Sequence, residues 1–288
     1  ERCIRALETG RQLWPVAQQI EYRLALEAPA AIAASMLEES AGRFALGPLA
    51  EVAASSHSWE ELAPHAPPTI VASLCAHERV VRGEDLRGFA LPGPDPLELP
   101  LCLEPWEPDY PVVTYRSHSV EVSSPLVPRF AARELAFNGA MVRSDVACAA
   151  LEDLVRAWST DSQAEVRAVA VEGDAFDAIG AIAPGDVQVA ASSRSEALAW
   201  MAFAAGSGGT HGRRRGLATG RLDAWLALAS LGGAGDEGLD GAAIAQATEH
   251  LEWVVFHPVH VSGGWGLHLA VSDPDGGIAH AVAAHDPA

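Results

Sequence analysis

The stretch Gly206-Ser-Gly-Gly-Thr-His-Gly-Arg-Arg-Arg-Gly216 is a glycine-rich turn running into an arginine-opened helix. Glycines leave backbone N–H groups accessible to an anion, and a helix start adds the positive end of its dipole. Gly208, Gly209, His211, Arg214 and Arg221 therefore form a candidate site for a small phosphorylated or carboxylated ligand. The stretch fails as a dinucleotide fingerprint, because its glycine spacing is off by one and a helix, not a strand, is predicted before it. It fails as a P-loop for want of a lysine. Ala205-Gly-Ser207-Gly-Gly comes close to a nucleophile elbow, but that elbow needs a strand directly before the serine. A flexible connection between two helices is favoured.

The spacing predicts one helix over 213–231, with Leu217, Arg221, Trp225 and Leu228 on a single stripe. Arg214 falls about two turns, ~10 Å, before Arg221 on the same face. A guanidinium keeps its proton, so a buried arginine needs a partner. Two outcomes are open. The favoured one is a buried aspartate or glutamate from a neighbouring element; in the other, one arginine is paired internally and the other meets a ligand anion.

Histidines gather near the end, at 250, 257, 260, 268, 280 and 285. Strand alternation could put His260, His268 and His280 on one face as a zinc set, but no paired-histidine motif supports this and ordinary hydrogen-bonded histidines are favoured. Asp273-Pro-Asp275-Gly276 hints at a calcium loop; without the further oxygen ligands it reads as a hairpin turn. The four cysteines, at 3, 75, 102 and 148, form no C-x-x-C pair and are expected as reduced, mostly buried thiols. No catalytic constellation, metal or cofactor is expected.

What must position these residues is a chain of 288 residues, 49% of them hydrophobic, which can bury a sizeable core. A formal charge of −19 repels phosphate polyanions and anionic lipid, so nucleic-acid and membrane partners are disfavoured. All 19 basic residues are arginine, which removes Schiff-base and Walker-type lysine chemistry and points to a GC-rich bacterial genome. No apolar run reaches the length of a membrane helix and no signal-peptide pattern opens the chain, so the cytoplasm is expected; whether a leader precedes Glu1 is left open.

Helical spacing predicts helices over 11–27, 29–39, 47–56 and 68–81, with Pro29 and Pro68 in first turns and Ser58 with Glu61 as a capping box. Together they suggest a helical bundle or solenoid-like layer over 1–88. Seven prolines in 88–111 preclude regular structure and mark 89–111 as a linker. Over 112–288 an α/β domain is predicted: strands at 112–115, 119–122, 166–172 and 187–191, and helices at 145–158, 175–182, 195–205 and 241–250. Strand-like runs at 253–261, 265–272 and 278–285, broken by turn signals, close the chain as an antiparallel meander. The fold class expected is thus α/β (α+β), a helical N-terminal layer followed by a mixed sheet with that meander.

The run Gly209-Thr-His-Gly-Arg-Arg-Arg-Gly-Leu-Ala-Thr-Gly-Arg-Leu-Asp-Ala-Trp225, then Leu251-Glu-Trp-Val-Val255 and Gly264-Trp-Gly-Leu-His-Leu-Ala-Val-Ser-Asp-Pro274, resembles an uncharacterised family of high-GC bacterial proteins over the last third of the chain. The resemblance implies no substrate, cofactor or catalytic residue. The expected function is a non-catalytic binding or scaffold protein whose N-terminal helices dock a protein partner. The alternative is an enzyme or sensor for a small anionic ligand at 206–221.

Overall fold

Local start and stop signals set most of the elements. The computed structural model describes residues 14–38, 46–143, 146–234, 239–261 and 263–287. Ser58 Oγ accepts from Glu61 N while Glu61 Oε2 accepts from Ser58 N at 2.9 Å, so the expected capping box is present. Two more boxes, Asp174 with Asp177 and Ser193 with Glu196, open later helices.

The chain packs as two units, each with its own interior. The first takes in Glu1–Leu103, Pro111–Ser123 and Arg215–Thr219; the second Glu104–Tyr110, Ser124–Arg214 and Gly220–Ala288. In the first, α1 (Trp14–Glu27), α2 (Ala30–Ser35), α3 (Leu49–Ser56), α4 (Trp59–Leu62) and α5 (Ile70–Val80) surround a core that includes Tyr22, Leu37, Val52, Trp59 and Leu62. The hairpin β1 (Val113–Arg116) and β2 (Ser119–Val122) packs on that core through Val113 and Tyr115. Pro29 sits one residue and Pro68 two residues before the helices whose first turns they were expected to join. Pro29 is the N-cap of α2, and Pro68 precedes Thr69, whose Oγ1 accepts from Ala72 N at 3.2 Å to cap α5. Arg11–Leu13 and Glu39, the ends of two predicted helices, lie outside the described residues, as does Asp145.

In the second unit α6 (Val146–Asp153) and α7 (Arg156–Asp161) replace one predicted helix, because Val155 leaves helical geometry at φ −120°. There follow β5 (Glu165–Glu172), α8 (Ala175–Ile182), β6 (Gly185–Ser192), α9 (Arg194–Ser207), α10 (Leu217–Leu231), α11 (Gly241–Ala247), β7 (Glu252–Pro258), β8 (Trp265–Asp273) and β9 (Ile278–Asp286). Two strands were not predicted, β3 (Ala131–Leu135) and β4 (Met141–Val142). The sheet runs β3-β6-β7-β8-β9-β5-β4, antiparallel at each pairing, with the expected meander β7-β8-β9 at its centre.

Register assigns the faces. Leu267, Leu269 and Val271 pair with Ala284, Val282 and His280, whereas His268 and Ala270 pair with Ala283 and Ala281. The second face carries the core under α8, with Val169, Val254, Phe256 and Ala270. The first meets α9, where Phe203 stacks on Trp265 with ring centroids 5.2 Å apart. Both faces of β8 are therefore buried over most of its length.

Candidate functional site

Helix α10 begins at Leu217, four residues later than its spacing predicts. Gly216 sits at φ +98°, outside helical space, and a side chain there would meet Glu78 Oε1 at 2.6 Å. That same oxygen accepts from Ala218 N at 2.9 Å and caps the first turn. Arg214 consequently lies in the loop before α10, and the expectation that it shares a helical face with Arg221 is corrected.

Arg221 is 1% exposed and forms a two-pronged ion pair with Glu107, Nε to Oε2 at 2.8 Å and Nη2 to Oε1 at 2.7 Å. Glu107 also accepts from Trp225 Nε1 at 3.0 Å, Tyr110 OH at 2.6 Å and Glu104 N at 2.9 Å. Burial opposes the charge on Glu107, but bonding and charge from Arg221, with help from Tyr110 and Glu104, still hold its carboxyl below the ordinary value. Trp106 lies against Trp225 at 4.8 Å, with the Arg194 guanidinium 5.4 Å from its ring centre. Glu107 was not singled out from sequence. Its signal is the pair of aromatics around it in Trp106-Glu-Pro-Asp-Tyr110, inside the proline-rich stretch.

The glycine-rich turn is held from within the second unit too. Gly208 ends α9 in the left-handed conformation at φ +80°. Gly209 follows at φ +75°, where a Cβ would come within 2.4 Å of Asp286 Oδ2 and 3.1 Å of the Trp158 ring. Asp286, fully buried at the end of β9, accepts from Thr210 N at 2.6 Å and Ser162 Oγ at 2.6 Å. A carboxylate of the chain itself thus takes the Thr210 N–H. Ser207 is the last residue of a helix, not of a strand–turn. Its Oγ donates to Ala204 O and accepts from Trp158 Nε1. His211 is exposed and Arg214 half-buried.

Of the sequence-level zinc set, His268 and His280 are on opposite faces of the sheet by register, and His260 is exposed in the turn after β7. The set is not assembled. His268 instead lies in the α8-side core beside Phe256 and His257, with ring centroids 5.4 and 5.8 Å away. Burial first, then repulsion from His257, His285 and His260, push its pKa down to about 3, so it is a neutral core imidazole.

The 273–277 stretch is the hairpin turn expected, with Asp273 Oδ1 accepting from Asp275 N and Gly276 N, both at 2.9 Å. Those two N–H groups, Gly276 foremost, hold the Asp273 carboxyl below its ordinary value. A cavity of about 290 Å³ lies alongside, with Val146, Leu231, Leu251, Val271 and Ile278 as apolar walls and Ser230, Asp273 and His280 as polar ones. Sequence reasoning missed this cavity. Its walls come from α6, α10 and the meander, which no local pattern connects.

Among the described residues Cys75, Cys102 and Cys148 form no disulfide, Cys75 and Cys148 are buried, and Cys3 lies outside them. Burial raises the Cys75 thiol far above its usual range and makes it unreactive. No described helix is long and apolar enough to cross a membrane.

Residues 3–288 match the model of one family, described as a family of unknown function (DUF6183). The match extends over nearly the whole chain, well beyond the last third that carries the resemblance in sequence. No curated protein and no solved structure matches the chain.

Proposed function

The chain belongs to DUF6183, and because membership brings no activity with it, we propose from the geometry that this is a non-catalytic binding or scaffold protein docking a partner through its helical layer. One observation carries the proposal. Along α1, Val16 and Ile20 are 55% and 37% exposed, and with Leu24 they line a largely apolar groove of about 630 Å³ edged by Gln19, Arg23 and Glu27. Residues four apart share a helix face, so the stripe suits an amphipathic partner helix laid along it. The formal charge of −19 favours a partner with a basic rim. With only arginine as basic residue and no disulfide at Cys75, Cys102 or Cys148, a reducing bacterial cytoplasm suits the protein.

A photo-crosslinking residue at Gln19 of the full chain tests this. The expected result is a discrete adduct with a basic protein that disappears in Val16→Asp/Ile20→Asp while the melting temperature is kept. An unchanged adduct pattern in that variant would overturn the proposal.

A second reading, a small phosphorylated or carboxylated ligand at 206–221, is favoured by the accessibility of His211 beside the half-buried Arg214 on one loop. It requires a ligand-dependent rise in melting temperature with inorganic phosphate or a sugar phosphate that Arg214→Met abolishes.

A further inference from the structure

His250 ends the turn after α11, Asp273 closes β8, and Asp275 sits in the β8–β9 hairpin. Long-range folding brings an imidazole from one element against two carboxylates from another. Their ligand atoms all lie within 4.8 Å of one another, and His250 Nε2 is already 3.3 Å from Asp273 Oδ1. Metal–nitrogen and metal–oxygen bonds of about 2.0–2.2 Å put neighbouring ligands about 3 Å apart, so small rotations of exposed side chains complete the set.

We propose that His250, Asp273 and Asp275 bind one divalent transition-metal ion beside the 290 Å³ cavity. Asp273 belongs to both features, lining the cavity as well as the ligand cluster. Ser230 and Leu231 on the cavity wall are the last residues of α10, whose C-terminal dipole adds negative potential to that of the two carboxylates. The Asp273 carboxylate has about four lone-pair sites, and the two backbone N–H groups on it leave room for an ion. One imidazole with two carboxylates selects Zn²⁺ or Mn²⁺ over Ca²⁺, which prefers an all-oxygen shell. Three protein ligands leave at least one position for water or a small molecule, as at metal centres that do chemistry. The site is independent of the α1 groove, and either proposal can fail without the other.

Calorimetric titration of the EDTA-dialysed full chain with Zn²⁺, followed by Co²⁺ absorption, tests the assignment. One saturable site is expected, with a Co²⁺ spectrum of mixed nitrogen and oxygen ligation. His250→Ala and Asp275→Asn should each weaken it by about tenfold or more, while His257→Ala changes nothing. Both variants change exposed side chains and keep Asp273 in its turn, and an unaltered melting temperature without metal checks the fold. Absence of binding, binding unaffected by His250→Ala and Asp275→Asn, or Ca²⁺ bound as tightly as Zn²⁺ would each overturn the proposal.

Discussion

Glu107 accepts five hydrogen bonds from four residues, and its geometry explains why Arg221 can be buried at all. Replacing Glu107 with Gln removes the carboxylate that meets the buried guanidinium in two hydrogen bonds and should cost about 3–5 kcal/mol in urea unfolding. Changing both Arg221 and Glu107 to apolar residues of similar volume should recover much of that loss, since both buried charges are then gone. That Arg221 needs a partner was legible from its place on an apolar helical stripe. The partner was not, because it lies 114 residues away in a stretch where local sequence says nothing of burial. His268 supports a second test. With its folded pKa near 3, the unfolded chain binds a proton that the folded one refuses between about pH 6.5 and 3. Its contribution is therefore complete above pH 6.5 and is lost as pH falls, by about 1.4 kcal/mol per unit. Between pH 6.5 and 5, wild type should lose about 2 kcal/mol more stability than His268→Gln, measured by urea midpoints.

Among the elements, β8 shows what alternation reveals and what it hides. Alternation in the sequence puts Leu267, Leu269 and Val271 on one face and His268 and Ala270 on the other, and the register agrees. The second set is buried as well, under α8, because a central strand of a two-layered sheet has no wet side. Leu269 is 2% exposed, so Leu269→Ala should destabilise by about 2–5 kcal/mol; a denaturation midpoint near wild type would contradict its burial. The strand β3 was illegible for the opposite reason. Ala131–Glu134 are exposed, so no core face imposes a period of two, and pairing with β6 alone defines the strand. The start of α10 was misplaced because three arginines are good helix formers, whereas Gly216 and the cap from Glu78 decide the matter. Caps written in adjacent residues, such as Ser58 with Glu61, were readable; a cap supplied 140 residues away was not.

At the scale of the whole molecule, proline content and exposure give different expectations for where the chain opens first. The proline-rich stretch 88–111 lacks regular structure, yet Leu97 and Leu99 are 5% and 4% exposed, and Glu107 and Tyr110 are tied to Arg221 and Trp225. Prolines explain the absence of helix and strand there, but buried side chains and satisfied polar groups decide whether a segment yields to a protease. The stretch between β2 and β3 has the opposite character. Leu126 and Val127 are 85% and 67% exposed, and residues 123–130 form no helix or strand. A protease must draw several residues into an extended conformation, which costs little where most side chains are exposed and the backbone belongs to no helix or strand; of 123–130 only Pro125 is buried. Chymotrypsin, which cuts after large apolar residues, should therefore cleave the Leu126–Val127 bond before any bond in 91–111. Mass spectrometry of the earliest fragments under native conditions reads this directly. A first cut among the described residues after Leu97, Leu101, Leu103 or Trp106 would mean that burial does not protect the proline-rich stretch. Where Leu126–Val127 is cut first in wild type, Glu107→Gln should redirect cleavage toward Trp106, because removing the ion pair loosens the segment it fastens. The ratio of the two cuts in wild type and variant measures how firmly that one carboxylate holds the chain.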